Sequence, residues 1–156
     1  MGETLEMILN YSVNLDGLKK MITSPDEQRL VWPDSKFPFF DTEWLEKLAF
    51  NDGHRSYYCL MDGEPVGHLA LRRTDDAHIR RIVFVVVAPH CRQKGIGRFM
   101  INEIEKICRR EKLAEKLTLR VRSHNRIAKS LYEKCGYRVY AIEGTAMDME
   151  KLLISF

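Results

Sequence analysis

Arg92-Gln93-Lys94-Gly95-Ile96-Gly97 is a short basic loop that carries two glycines. It follows an apolar run, Val83-Phe84-Val85-Val86-Val87, that stops at Ala88-Pro89. It leads into Arg98-Phe99-Met100-Ile101-Asn102-Glu103-Ile104, whose apolar residues recur at helical spacing. A strand, a tight loop and a helix start in that order make an anion site. The first helical N–H groups lack partners within the helix and point outward with the positive end of its dipole. Glycine at 95 and 97 lets the backbone approach an oxygen-rich ligand with no Cβ in the way. The ligand that suits such a loop is a phosphate or a pyrophosphate. A plainer reading stands beside it, in which both glycines serve only a tight strand-to-helix turn. The common phosphate loops do not fit: Gly-x4-Gly-Lys-Ser/Thr is absent, and a dinucleotide fingerprint needs glycine or alanine where Met100 stands.

The elements that must hold this loop can be read on both sides of it. Thr4 to Ser12 reads as a strand, and Asn14 as the N-cap of a helix that runs to Met21 and is ended by Ser24-Pro25-Asp26. Residues 30–40, with two prolines among aromatics, read as a structured loop. Asp41 or Thr42 then caps a helix in which Trp44, Leu45, Leu48 and Ala49 share a face. Tyr57 to Met61 and Val66 to Arg72 are strands joined at Asp62-Gly63, a strong hairpin signal. After a turn at Thr74-Asp75-Asp76 the long strand covers His78 to Val87. A helix from Arg98 to Lys112, a strand from Lys116 to Ser123 and a helix from Arg126 to Lys134, stopped at Gly136, come next. Tyr137 to Glu143 and Ala146 to Ile154 close the chain as a hairpin. Hairpins at both ends with helices between them predict an α/β (α+β) fold with a mixed sheet.

At 156 residues the chain is expected to form one domain, 1–156. A net charge of +3 is too small for a dedicated nucleic-acid binder, and the basic run Lys106 to Lys112 reads as the wet face of a helix. Cys59, Cys91, Cys108 and Cys135 have no paired spacing and read as reduced thiols of a cytoplasmic protein. The histidines and cysteines have no metal-ligand spacing, so no metal is expected. The first residues show no leader pattern, Glu6 stands where a myristoylation signal needs Ser or Thr, and Ile82 to Ala88 is too short to span a membrane.

Arg92-x-x-Gly95-x-Gly97 after a strand ending Val-Ala-Pro resembles the coenzyme A loop of the GCN5-related N-acetyltransferases, the GNAT superfamily. A second stretch, LTLRVRSHNRIAKSLYEKCGY from Leu117 to Tyr137, is similar to the family's later strand and helix. There Asn125, Ala128, Leu131-Tyr132 and Cys135-Gly136-Tyr137 fall in matching places. The resemblance covers roughly residues 64 to 143. It implies a central sheet that is mixed and splayed to admit the cofactor, with helices on both faces. It also implies acetyl transfer from acetyl-CoA to an amine, with no metal.

The resemblance assigns roles residue by residue. Backbone groups of Val85, Val86 and Val87 pair with the pantetheine arm and its carbonyl; Gln93, Lys94, Gly95, Ile96, Gly97 and Arg98 donate N–H groups to the pyrophosphate, and Arg92 and Lys94 add charge. The valines can equally be strand core, since backbone and side chain do different work. Asn125 reads as the N-cap of the helix from Arg126, and the family adds a hydrogen bond to the cofactor arm. Tyr132 reads alone as a core tyrosine; the resemblance makes it the acid that protonates the departing thiolate. The usual glutamate positions of the general base hold Arg81 and Arg120, which cannot accept a proton. His78, His90, His124 and Glu43 lie nearby, and none is assigned.

A lysine amine near pKa 10.4 is about one part in a thousand neutral at pH 7.4, whereas an α-amine near 7.8 is about a quarter neutral. Lack of a base therefore favours an α-amine of an amino acid, peptide or protein N-terminus. Arg81 and Arg120, if they face the acceptor, repel polyamines and favour a carboxylate. The loop of Trp32, Pro33, Phe37, Pro38, Phe39 and Phe40 reads as a wall of the acceptor site or as a buried plug. Two rival readings remain: a covalent relay through Cys91 or Cys135, and a non-catalytic acyl-CoA-binding sensor. Homodimerisation through Leu152-Leu153-Ile154-Ser155-Phe156 is left open beside a plain last core strand.

Overall fold

The computed structural model describes residues 4–50 and 54–153. Its elements in chain order are strand β1 (Leu5–Leu9), helices α1 (Asp16–Met21), α2 (Pro25–Val31) and α3 (Asp41–Leu48), strands β2 (Arg55–Met61), β3 (Glu64–Arg73) and β4 (Ile79–Val87), helix α4 (Ile96–Arg110), strand β5 (Lys116–Arg122), helix α5 (Arg126–Lys134), and strands β6 (Arg138–Glu143) and β7 (Ala146–Leu152). The seven strands lie in the order β1-β2-β3-β4-β5-β7-β6, and only the β4–β5 joint is parallel. The mixed sheet with helices on both faces is the architecture expected from the sequence. The expected end of the last strand at Ile154, and Ile154-Ser155-Phe156 with it, lie outside the described residues. Among the described residues no helix is long and apolar enough to cross a membrane.

The two faces of the sheet follow from alternation along β2 and β3. Tyr58 and His68 are paired and face α1, where a Cβ on Gly17 would come within 2.7 Å of the Tyr58 ring. Cys59 and Gly67 are the next pair and face α4, where a Cβ on Gly67 would come within 2.7 Å of Met100 Sδ. The core lies in these two layers: Leu18, Met21, Trp44 and Leu48 on one side, Met100, Ile101, Ile104, Leu117 and Met149 on the other. The Asp62-Gly63 hairpin forms as expected, with both turn residues at positive φ (50° and 88°).

Two expectations need correction. Ser24-Pro25-Asp26 does not end a helix before a long loop; it starts α2. Ser24 Oγ accepts the Glu27 N–H at 3.1 Å and Pro25 takes the first helical position, where no N–H is needed. Asn14 does not cap α1 directly. Leu15 is the N-cap residue, while Asn14 Oδ1 accepts the Asp16 N–H at 2.8 Å.

Candidate active site

The parallel joint between β4 and β5 is three residue pairs long: Ile79 with Lys116, Arg80 with Leu117, and Arg81 with Thr118. Beyond it β4 stays paired to β3 as far as Val87, and β5 stays paired to β7 as far as Arg122. The two strands therefore part, leaving a gap with an unpaired edge on each side. Ala88 N–H donates to Val66 O at 2.8 Å, so Ala88 and Val86 turn their backbone groups toward β3. Val85 and Val87, one step out of phase, turn theirs toward the gap. Of the three valines named from sequence, Val86 sits in the β3 ladder opposite His68.

The phase depends on a bulge. The register on β3 slips between His68 and Ala70, which pair with Val86 and Val83, so one extra residue is accommodated on β4. Phe84 takes the left-handed conformation there (φ 53°), which a bulky residue adopts only under constraint. Its carbonyl accepts from His68 Nδ1 at 2.8 Å.

The loop after β4 presents a row of free donors. Gln93 and Gly95 both have positive φ (63° and 82°), and α4 starts at Ile96, two residues earlier than expected. The first helical bond is Phe99 N–H to Gly95 O at 3.0 Å. Among the described residues, no backbone N–H from Gln93 to Arg98 has a protein acceptor. The glycines divide the work: Gly95 has open space around it and is required by its φ, whereas a Cβ on Gly97 would come within 2.9 Å of Leu131 of α5. Lys94 and Arg98 are exposed beside these donors. Arg92 is not. Its guanidinium grips both oxygens of Glu27 on α2, with Nη1 to Oε1 at 3.1 Å, and its Nε donates to Val87 O at 3.2 Å.

Across the gap, Asn125 caps α5 by accepting the Ala128 N–H at 3.3 Å. Tyr132 is buried, 6% exposed, yet its hydroxyl makes no protein hydrogen bond among the described residues and is not sealed in as Tyr57 OH is. Burial, and secondarily the neighbouring Cys135, push its phenol up to about 12. The C-terminal end of α5 is anchored behind it. Glu105 of α4 accepts from Tyr137 OH at 3.1 Å and from Lys151 Nζ at 2.8 Å, and Lys151 also donates to Cys135 O at 2.7 Å.

Arg81 and Arg120 prove to be partnered. Asp148 of β7 accepts Arg120 Nε at 2.8 Å and a second Arg120 nitrogen at 3.1 Å, and takes Arg81 on the same oxygen at 3.2 Å. Hydrogen bonding from Arg120 holds the Asp148 carboxyl below the usual range. The two arginines are thus not free cations aimed at an acceptor. Glu43 Oε1 accepts the Lys36 N–H at 2.9 Å, and His78 lies 3.8 Å from Glu115 at the far end of β4. Cys91 is fully buried, and burial raises the Cys135 thiol, so neither suits a covalent relay. The aromatic loop splits. Trp32 and Phe39 pack on Trp44 at 4.9 and 4.8 Å, and Trp32 also meets Phe84 at 5.1 Å, while Phe37 and Phe40 are exposed.

Sequence reading missed Glu27, since Ser24-Pro25-Asp26 read as a break and not as the start of α2, and His68 with its partners Ser56 and Asn10. The available signal for His68 was one histidine inside an otherwise apolar strand.

The family model described as "Acetyltransferase (GNAT) family" matches residues 19–137. No curated protein matches the chain. Among solved structures, the spermidine N-acetyltransferase of Vibrio cholerae in complex with CoA and spermine superposes with a TM-score of 0.79 at 19% identity, covering 96% of this chain and 95% of that one. The PaiA N-acetyltransferase of Thermoplasma acidophilum in complex with coenzyme A gives 0.72 at 18% identity, over 96% and 99%. The ribosomal-protein-S18-alanine N-acetyltransferase of Escherichia coli gives 0.75 at 14% identity, over 98% and 96%. At these identities the superpositions speak to fold; together with the family match over most of the chain, they establish that the protein belongs to the acetyltransferase (GNAT) family.

Proposed function

We propose that this protein transfers the acetyl group of acetyl-CoA to a primary amine by direct attack. The observation that carries the reading is the continuity of the β4 edge. Backbone groups of Val85 and Val87 that β3 leaves unpaired, the Val87 carbonyl already taken by Arg92 Nε, run straight into six N–H groups from Gln93 to Arg98 that have no acceptor among the described residues. The first set suits an amide-rich arm and a thioester carbonyl, the second a pyrophosphate. The relatives solved with coenzyme A have the same fold.

The chemistry asked of the side chains is small. The amine nitrogen bonds to the acetyl carbon as the carbon–sulfur bond breaks; Tyr132 gives its proton to the sulfur, and the amine's surplus proton leaves to water. A phenol near 12 is a weak acid for a thiolate near 8.5 in water. The interior of this protein raises thiols as well: burial pushes Cys59 to about 11 and Cys108 to about 12. A thiolate released beside Tyr132 meets the same penalty, which brings donor and acceptor close to parity.

The acceptor we favour is an α-amine. No unclamped carboxylate stands at Arg81 or Arg120, so an amine already partly neutral at pH 7.4 has the advantage. The carboxylate preference expected from two open arginines falls away, because Asp148 binds both. A sensor without turnover is the weaker reading, since a pure binder needs no acid for a departing thiolate.

Acetyl-CoA-dependent thiol release against a panel of amino acids, peptides with free N-termini, lysine side chains, polyamines and aminoglycosides tests both levels. Turnover confined to α-amines supports the full reading. Turnover with polyamines alone removes the α-amine preference, and CoA binding without turnover on any class favours the sensor.

A further inference from the structure

We infer that His68 is a positioning residue for acetyl transfer, holding the β4 bulge in the phase that turns Val85 toward the gap; this rests on the acetyl-CoA reading above. His68 is wholly buried and accessible to neither substrate. Its Nδ1 lies 2.8 Å from the Phe84 carbonyl, which can only accept, so Nδ1 carries the proton. Its Nε2, 2.7 Å from Ser56 Oγ, then accepts the serine hydroxyl. Ser56 in turn accepts from Asn10 Nδ2 at 3.1 Å, and Asn10 Oδ1 accepts the Asn14 N–H at 2.9 Å. Every link has one donor and one acceptor, so the chain admits a single polarity from the turn before α1 to the bulge. Burial keeps the ring neutral, as that polarity requires.

The target of the chain is the one residue whose conformation sets the phase. Without the bulge, Val85 rather than Val86 would lie opposite His68, and Val85 would give its N–H and carbonyl to β3. Phe84 has no intrinsic preference for positive φ; the His68 bond and its packing on Trp32 and Trp44 hold it there.

Three variants test this: His68→Leu, which removes the donor; His68→Asn, whose amide can donate from nearly the Nδ1 position; and Ser56→Ala, which leaves Nε2 without its donor. The readouts are kcat, CoA affinity and the backbone amide signal of Val85. We expect His68→Leu to lose about tenfold or more in kcat while CoA affinity, set mainly by the loop from Gln93 to Arg98, changes much less. His68→Asn should recover most of the kcat. An unchanged kcat in folded His68→Leu, or no recovery in His68→Asn, overturns the inference. If His68→Leu does not fold, Ser56→Ala decides: a severalfold loss in kcat at constant CoA affinity supports the role, and wild-type kcat overturns it. If the wild type itself shows no turnover, the acetyl-transfer reading fails separately, and the Val85 amide decides. A signal moved in Ser56→Ala supports control of the bulge, and an unmoved one overturns it.

Discussion

Arg92 and Glu27 join the loop between β4 and α4 to α2 through a two-pronged ion pair, 65 residues apart in sequence. The arginine that sequence comparison assigns to phosphate charge is committed to the helix that supports the aromatic loop. Glu27→Gln keeps the size of the side chain and removes its charge. A partly exposed pair of this kind contributes about 1 kcal/mol or less to stability. The effect is expected in the partition of kinetics: CoA affinity within about threefold of wild type, and acceptor KM raised severalfold because α2 is no longer tethered. Titration calorimetry and steady-state kinetics together measure the split, and a large loss of CoA affinity would place Glu27 in cofactor binding instead.

Tyr132→Phe removes a hydroxyl that has no protein partner, so the fold should not register its loss. We predict a fall of about a hundredfold in kcat, the scale of one general acid, with CoA affinity within about twofold. Turnover at wild-type level would assign the thiolate's proton to solvent.

The unfolding free energy should fall as pH drops below the ordinary histidine value. Burial lowers His68 from 6.5 to about 4, against which the hydrogen bond to Phe84 works weakly. Between those values the unfolded chain binds a proton that the folded chain does not, so stability rises with pH across this window. It is lost as pH falls from about 6.5 to about 4, by about 3 kcal/mol in all, and levels off below. The neighbours of the ring, Tyr58, Ser56 and the Phe84 carbonyl, bring no charge to offset it. Urea unfolding between pH 4 and 7 should show the slope in the wild type and a flatter one in His68→Asn; equal slopes would assign the loss to the carboxylates.

Gly17→Ala should destabilise the protein although it adds a good helix former to α1. The new methyl would come within 2.7 Å of the Tyr58 ring and 3.2 Å of Pro65. That ring is pinned by its hydroxyl, which donates to Asn14 O at 2.6 Å and accepts from Leu18 N–H at 3.2 Å. Helix propensity alone would give about 1 kcal/mol of stabilisation, and overpacking about 1 to 3 kcal/mol of loss. Thermal unfolding decides the sign.

What could be read from sequence was whatever one segment decides for itself. Asp62-Gly63 needs only its own backbone to turn, and Asn125 needs only the N–H three residues on. The turn at Gly95 and the helix that carries Tyr132 were legible for the same reason, each lying in a continuous motif. The start of α4 was placed two residues late because Ile96 and Gly97 carry no helix signal of their own; left-handed Gly95 starts the helix. Ser24-Pro25 has the chemistry of a helix start and of a break, and only the packing of α2 chooses. Partners across the sheet were hidden altogether. Asp148 reaches back 28 residues to Arg120 and 67 to Arg81, and nothing at either arginine announces it. His68 was hidden in the same way, since its role depends on the shape of a neighbouring strand.

The short parallel joint gives the sheet a mechanical character. Two stiff plates, β1-β2-β3-β4 and β5-β7-β6, meet along three residue pairs, and the Arg81–Asp148 contact crosses that line like a rivet just where the plates begin to part. The width of the cleft is therefore an angle, set at the joint and magnified toward Val87. A small repacking around Arg81 would move the far walls most, because an angle set at the joint grows into distance along the strands.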